Sequence, residues 1–297
     1  MSLLLIALFR GNDEGWGSAL IVGLLAASAL LLAAFVAIES RVERPLLDLK
    51  LFRNPATSGA SLAMLFLAAS TFAVITYLVF FLQNFLAYDA FETGLRLLPW
   101  TVAAFFGGVA TGRLAQRLPV RVLIVAGMTL AGVGLLLMRG IEVGSEWTTI
   151  VAGATSVGLG IGLLMPTVAA AALGAAPVRQ SGMASGLNST FRILGVAIGV
   201  AALGAIMESE VSSSLTASLG NVSPGLVDVV STGNVAGLGD QVSQASAVAF
   251  VDGLNTILLI SAIVAFSGAI LAALLVRERK VEEERSLDAA APAVAAG

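Results

Sequence analysis

Several uninterrupted apolar runs, each long enough to cross a lipid bilayer, constrain this chain more than any other feature of its sequence. Two of them, residues 149–175 and 186–207, are separated by a short segment that contains Arg179 and Gln180. A helix rises about 1.5 Å per residue, so about 20 apolar residues cross the roughly 30 Å hydrocarbon core. The two runs therefore predict a membrane hairpin.

The composition supports a membrane protein and excludes several classes of function. The chain is 58% hydrophobic and 12% charged, whereas about a quarter of the residues in a soluble domain are charged. The strand alternation of an outer-membrane barrel is missing, so we expect an all-α fold. His and Cys are absent and the carboxylates lie in loops and the tail, which argues against an enzyme, a metal site and a cofactor. The net charge of -3 and the dispersed basic residues argue against nucleic acid.

The pattern predicts a polytopic transmembrane helical bundle of about seven spans. An apolar remnant at residues 1–9 and a polar loop at 10–16 precede them, residues 208–249 are expected to form a long loop, and residues 277–297 a disordered tail. The seven predicted spans are 18–38, 57–86, 94–112, 122–138, 149–175, 186–207 and 250–276.

The basic residues predict how these spans are oriented. Cytoplasmic loops of membrane proteins carry an excess of Lys and Arg. If the C-terminal tail is cytoplasmic, only Arg10, Arg96 and Arg139 of the 16 basic residues fall outside. This distribution of basic residues predicts a multi-pass protein of the cell's inner membrane, in contact with lipid. Its C-terminus is predicted to be cytoplasmic. The same distribution makes 208–249 an extracytoplasmic loop.

The span around Tyr77 has one face that differs from the other. At about 100° per residue, its polar and aromatic side chains gather in one arc, while Leu78, Leu82 and their apolar neighbours lie opposite, where we expect lipid. Two interpretations stay open, ordinary helix packing and the wall of a cavity for large, mostly apolar substrates. The substrate-cavity candidates are Ser70, Thr76, Tyr77, Phe80, Phe81, Gln83 and Asn84, with Pro166 as a helix bend in a later span.

Glycines at helical spacing predict close packing between spans. Small residues four apart let two helices approach each other. The pairs Gly108 with Gly112, Gly158 with Gly162 and Gly195 with Gly199 have this spacing, and we expect helix contacts at each.

Several longer motifs carry a family resemblance. They are the run from Tyr77 to Gln83, the segment Gly94-Leu95-Arg96-Leu97-Leu98-Pro99-Trp100, and the hairpin with Gly158, Gly162, Pro166, Arg192, Gly195 and Gly199. Together they resemble the fourteen-helix drug:proton antiporter branch of the major facilitator superfamily.

This resemblance implies a domain plan and a function. Residues 1–54 would hold the end of one inserted helix, a complete inserted helix and a cytoplasmic linker, residues 55–276 the six-helix C-terminal half of a transporter, and 277–297 the tail. When complete, such a protein exports apolar or amphipathic small molecules in exchange for protons. The N-terminal half, with the main coupling motifs, would be a missing partner. The alternative is a non-transporting module that assembles with other helical membrane proteins.

The loop after the third span looks like a degenerate copy of the family's cytoplasmic motif. Gln116 stands where that motif has Asp, so the charge contact that latches the gate is not expected here. The residues assigned to this gate loop are Gly112, Arg113, Arg117 and Arg121.

Overall fold

The fold is all-helical. The computed structural model describes residues 2–15, 17–39, 42, 55–174, 181–233 and 240–276, and within them it contains ten α-helices and no strand. The helices are α1 Ser2–Glu14, α2 Ala19–Glu39, α3 Pro55–Phe80, α4 Ala90–Arg96, α5 Leu98–Leu114, α6 Val120–Leu137, α7 Thr148–Gly174, α8 Ser181–Leu219, α9 Pro224–Ser231 and α10 Asp240–Leu275.

Six of these helices are long and apolar enough to span a membrane, within the described ranges: α2, α3, α6, α7, α8 and α10. The remaining predicted span, residues 94–112, corresponds mainly to α5, which has 17 residues and Pro99 in its first turn. Proline suits that position because the first amide groups of a helix have no partner within it. The polytopic helical bundle expected from hydropathy is confirmed.

Consecutive helices are joined by short connections, so the helix termini gather at two opposite ends of the bundle. The end of α3, the loop between α6 and α7 and helix α9 lie at one end, which we call the α9 end. The turn between α5 and α6 and the last residue of α10 lie at the other, where a Cβ built on Gly59 would be 2.7 Å from Val276. Residues 175–180 and 277–297, which include the predicted hairpin turn and tail, are outside the described part.

Glycine backbones form the closest contacts between helices. On α8, a Cβ added at Gly195 or Gly199 would meet the carbonyl oxygen of Leu65 or Ala69 on α3. On α7, Gly158 and Gly162 face carbonyl oxygens of α5 in the same way. Two packed units result, the pair α3 and α8 and the group α5, α6 and α7.

Helix α10 joins these two units. It packs against α3, α6 and α8, and its residues Phe250, Leu254 and Leu258 are fully buried. The main hydrophobic cluster therefore extends through the middle of the bundle towards the α9 end.

Two expectations about local structure were wrong. Arg10 to Glu14 was predicted as a loop but belongs to α1, where Arg10 Nη2 lies 3.3 Å from Glu14 Oε1 one helical turn away. Leu78 and Leu82 were assigned to lipid but are fully buried. Lipid and protein core are equally apolar, so hydropathy alone does not separate a lipid-facing side chain from a packed one.

The largest correction concerns residues 208–249, which are not a long loop. Helix α8 continues to Leu219, α9 follows, and α10 begins at Asp240. The α8 extension holds because Met207, Val211 and Leu215, spaced four apart, are all fully buried. At about 1.5 Å per residue the 39 residues of α8 are about 58 Å long, well beyond the hydrocarbon core.

Candidate functional site

A cavity of about 570 Å³ lies between α3, α8 and α9. Tyr77 and Phe80 line it from α3, Glu208 from α8, and Asp228 and Thr232 from α9 and the residue after it. This volume is within the range of pockets that hold small molecules, about 300 to 1,000 Å³. The cavity combines an aromatic wall with two carboxylates.

The aromatic wall comes from the predicted arc of α3. The rings of Tyr77 and Phe80 meet edge to face, with centroids 6.1 Å apart and planes at 85°. Both side chains are half-buried. Such a pair leaves ring surface open to the cavity while each ring supports the other.

The remaining residues of the arc have different surroundings. Asn84 is exposed and donates from Nδ2 to the carbonyl oxygen of Thr232, at 3.3 Å. Thr76 is exposed and Gln83 half-buried, and neither lines the cavity. Asn84 therefore ties the end of α3 to the residue that follows α9.

Two candidates of the same arc are packed in the core. Ser70 is fully buried, and its hydroxyl donates to the carbonyl of Leu67 at 3.0 Å. Phe81 is buried and stacks on Phe85, with centroids 6.4 Å apart. Pro166 is exposed within a continuous α7 and does not line the cavity.

The last turn of α3 is a π-helix over Phe81–Phe85. Such turns insert an extra residue into the helix and occur often at functional sites. Here the π-helix brings Phe85 onto Phe250 of α10, with centroids 4.5 Å apart and planes at 29°. It places Asn84 where it reaches Thr232. Nothing in the sequence pattern predicts this turn.

Glu208 also borders a second cavity of about 450 Å³, lined on α8 by Ser209 and Ser212. Val222, Pro224 and Val227 line this second, open cavity from the segment around α9. Glu208 therefore has access to both spaces.

Helix α9 is well defined by its own sequence. Ser223 caps it, with a side-chain oxygen that accepts from the amide of Leu226, and Pro224 follows at the first position. Val227 and Val230 bury its inner face. The pair Ser223-Pro224 is a typical sequence signal for the start of a helix and could have predicted α9. Asp228, which lines the cavity, lies on that helix.

The loop between α6 and α7 is fixed to α10 by one side chain. Asn255 Oδ1 accepts from the amide of Gly140 at 2.8 Å and of Ile141 at 3.3 Å. Its Nδ2 donates to the carbonyl of Ile141 at 2.8 Å. Sequence reasoning missed this residue because its partners lie more than 100 residues away along the chain.

The residues assigned to the gate loop lie at the end of the bundle opposite α9. Gly112 and Arg113 are in the last turns of α5, Arg117 in the turn after it and Arg121 at the start of α6. All four are exposed, so the arginines form a basic surface.

Five of the six glycines in the predicted pairs lie in or beside the helix contacts described above, and Gly112 does not. Gly108 is a special case, because its neighbour Gly107 makes the closer approach: a Cβ there would be 2.8 Å from the carbonyl oxygen of Leu159. Gly112, the other member of the predicted pair, has open space around it. The contact of α5 with α7 is therefore centred one residue before the predicted motif.

Metal ligands do not converge in this structure. Across the described ranges, no group of three or more Asp, Glu, His or Cys residues could hold a metal ion. The cavity can therefore contact a ligand through aromatic rings and through the negative charge of two carboxylates.

Comparison with known proteins places the chain in a family. The family model described as Major Facilitator Superfamily matches residues 3–200. Multidrug resistance protein Stp of Mycobacterium tuberculosis is 34% identical over 215 residues, which are 71% of this chain and 39% of Stp. Multidrug transporter protein MdtP of Bacillus subtilis is 28% identical over 216 residues, 73% of this chain and 40% of MdtP.

A third relative is the tetracenomycin C resistance and export protein of Streptomyces glaucescens, 30% identical over 211 residues, 71% of this chain and 39% of that protein. The chain thus spans about two fifths of the length of the relatives it matches. The family model matches two thirds of the residues, and the helical spans and interlocked glycines agree with it. This chain therefore belongs to the Major Facilitator Superfamily, a family of membrane transporters.

Proposed function

We propose that this chain is the C-terminal half of a secondary transporter that exports apolar or amphipathic small molecules in exchange for protons. In the complete transporter an N-terminal half supplies the other cavity wall and the proton-coupling acid. The observation that carries this proposal is the cavity lined by Tyr77 and Phe80 in a chain of this family.

The relatives support export as the direction. Their names give multidrug resistance, multidrug transport, and tetracenomycin C resistance and export. Coupling to protons through the missing half agrees with the apolar spans of this chain. A carboxylate inside a span costs several kcal/mol and is usually functional. Glu208 and Glu210 follow the apolar run 186–207, and Asp252 is exposed in the fourth turn of α10.

In the proposed orientation, the basic surface of Arg113, Arg117 and Arg121 faces the cytoplasm of the inner membrane. The α9 end with its cavity is then extracytoplasmic, and the C-terminus is cytoplasmic. The positive-inside rule supports this choice because the segment from Arg192 to Arg277 has no basic residue between its two ends. The cavity would lie on the release side of an exporter.

A second candidate function is a non-transporting module that assembles with other helical membrane proteins. It is favoured by one face of α5, where Val102, Phe105, Phe106 and Val109 are between 45% and 68% exposed. These residues are spaced as one helical stripe. Both proposals place another helical protein in contact with the chain, and only the first predicts transport.

The deciding experiment expresses the chain in a bacterial strain that lacks drug exporters, alone and together with the segment encoded directly upstream of it. Dye efflux from energised cells is measured with ethidium. Transport that requires both segments and stops on collapse of the proton gradient is expected. Absence of efflux, with the chain copurifying with unrelated helical membrane proteins, supports the module.

The cavity wall is tested in the same cells by Tyr77→Ala and Gln83→Ala. Tyr77 lines the cavity and Gln83 does not, so Tyr77→Ala should change the relative rates for different dyes while Gln83→Ala leaves them unchanged. Protein levels are measured in parallel. Unchanged specificity with Tyr77→Ala would remove the cavity from the proposal.

A further inference from the structure

We infer that Thr111 on α5 is a positioning residue for α7, because its hydroxyl supplies the hydrogen bond that Pro166 removes from that helix. Through this bond α5 holds the part of α7 that follows Pro166. The inference rests on the proposed function for its role in transport. The hydrogen bond between the two helices is a property of this chain.

Pro166 leaves one carbonyl group of α7 without its usual donor. Proline has no amide hydrogen, so the carbonyl four residues before it in a helix loses its partner. Pro166 lies inside α7, and the carbonyl four residues before it belongs to Gly162. In the hydrocarbon core no water replaces the missing donor, whereas a neighbouring helix or a Ser or Thr hydroxyl can. A donor to Gly162 therefore has to come from outside the regular hydrogen bonds of α7.

Thr111 is placed to be this donor. Its Oγ1 lies 3.3 Å from the carbonyl oxygen of Gly162 and 3.4 Å from that of Leu163. The carbonyl of Leu163 already accepts from the hydroxyl of Thr167, at 2.6 Å. Thr167 also has the amide hydrogen that bonds to this carbonyl in a regular helix. Gly162 is therefore the acceptor that gains most from the hydroxyl of Thr111.

The close approach of α5 and α7 brings the hydroxyl to Gly162. A Cβ added at Gly107 would lie 3.2 Å from the Cα of Gly162, and one added at Gly162 would lie 2.9 Å from the Cα of Gly107. Small residues that face each other in this way let two helix backbones come into contact. Thr111 is one turn after Gly107 and only 4% exposed, so water has little access to its hydroxyl.

The hydroxyl of Thr111 also has an acceptor on its own helix, the carbonyl of Gly107 at 2.9 Å. A hydroxyl group donates one hydrogen, so it bonds either to Gly107 or to Gly162 at a given moment. The bond to α7 can thus be released without leaving the hydroxyl unpaired. A transporter of the proposed kind alternates between two arrangements, and this exchange of acceptors lets α7 move relative to α5 beside Pro166.

Other threonines in the long helices bond within their own helix. In the described part of the chain, the hydroxyls of Thr71, Thr155 and Thr167 each donate to the carbonyl four residues earlier. Thr71 is 1% exposed and so is as deeply buried as Thr111. It lies on α3, away from Pro166 in the sequence. Thr71 is therefore a matched control for the loss of a buried hydroxyl.

The test is a double-mutant cycle between Thr111 and Pro166 in the purified full chain, with unfolding followed in mixed micelles. Thr111→Val nearly keeps the shape of the side chain and removes the hydroxyl. It should raise the equilibrium constant of unfolding by about three- to tenfold, as expected for a hydrogen bond between membrane helices. Pro166→Ala returns an amide donor to Gly162. In the Pro166→Ala background, Thr111→Val should therefore have a much smaller effect.

Two further variants separate the hydroxyl from the packing. Thr111→Ser keeps the hydroxyl and should unfold much as the unmodified chain does. Thr71→Val removes a hydroxyl that bonds only within α3 in the described structure, so its effect should be the same with and without Pro166→Ala.

A distance measurement gives a result that a merely stabilising residue would not change. The chain has no Cys, so spin labels attach only to introduced cysteines. One pair is Val122→Cys at the start of α6 and Ala170→Cys on α7 after Pro166, both at exposed positions. Thr111→Val should shift or broaden the distance distribution of this pair. It should leave unchanged the distance from Val122→Cys to Thr148→Cys, which lies on α7 before Pro166.

An equal effect of Thr111→Val in both backgrounds, a loss in Thr111→Ser as large as in Thr111→Val, or unchanged distances would overturn the inference. Each variant is checked for a single species by size-exclusion chromatography. If Thr111→Val alone does not fold, recovery of folded protein on addition of Pro166→Ala supports the coupling, and failure to recover contradicts it.

Transport is measured separately, in cells that also contain the upstream segment. Thr111→Val should slow dye efflux and Thr111→Ser should restore it. Coupling between Thr111 and Pro166 without any efflux by the unmodified chain would refute the proposed function and leave the hydrogen bond. Efflux that Thr111→Val does not change would refute the role of Thr111 in transport and leave the proposed function.

Discussion

The guanidinium carbon of Arg96 lies 3.4 Å from the centre of the Tyr88 ring. The same group is 5.9 Å from the ring of Trp147 and donates to the carbonyl of Glu92 at 3.1 Å. Arg96 thus connects α4, the segment before it and the loop before α7. This cation therefore adds a contact between the two packed units at the α9 end, beside those that α10 makes.

Replacement of Arg96 by Gln should lower the free energy of unfolding by about 1 to 2 kcal/mol, because a partly desolvated cation–π contact is lost. Arg96→Lys should lose less, since it keeps the charge over Tyr88. Unfolding in mixed micelles, followed by circular dichroism, measures both. Arg139→Gln is the control, because Arg139 is exposed at the same end of the bundle, and an equal loss there would contradict the contact.

Replacement of Asn255 by Leu should release the loop between α6 and α7 from α10. Three hydrogen bonds to Gly140 and Ile141 disappear, and the cost should be about 1 to 3 kcal/mol. Hydrogen exchange of the peptide over residues 139–147 should become faster while α6 stays protected. Thr256→Ala, next to Asn255 and without a side-chain hydrogen bond to the described residues, should leave that peptide unchanged.

Replacement of Gly199 by Ala should separate α3 from α8. The added methyl group would meet the backbone of Ala69, which has no rotamer by which to move away, and overpacking of this kind costs about 1 to 3 kcal/mol. The yield of monodisperse protein and the unfolding free energy should both fall. Gly186→Ala on the same helix has open space, so stability there should be unchanged or slightly raised.

Replacement of Phe250 by Ala should cost about 3 to 5 kcal/mol, because a fully buried ring leaves a cavity. The stack on Phe85 is lost as well. Phe91→Ala is the control, since Phe91 is 77% exposed and should change stability by less than about 0.5 kcal/mol. Similar losses in both variants would show that Phe250 is not part of a packed core.

The order of the six long apolar helices could be predicted from the sequence because each of them is a long apolar run. The extension of α8 could not be predicted by the same reasoning. Its buried residues Met207, Val211 and Leu215 alternate with Glu208, Glu210 and several serines, so the mean hydropathy falls although the helical stripe continues. Spacing, rather than average hydropathy, holds the signal there.

Only part of the cavity lining could be predicted from the sequence. Tyr77 and Phe80 could be found from their helix face, but Glu208 and Asp228 could not, because their approach depends on how α9 folds against α3 and α8. The arc also combined buried and exposed residues: Ser70 is in the core and Thr76 on the surface. A helical wheel gives direction around an axis and contains no information on what lies in that direction.

Helix α8 has a mechanical consequence for the cavity. Because Gly195 and Gly199 interlock with the backbone of α3, two of the three cavity walls belong to one rigid body. The third wall, α9, is flanked by Gly220 and Gly233, both at positive φ. The shape of the cavity is therefore set by where α9 docks on this pair of helices, and a single distance between labels on α8 and α9 would measure that placement.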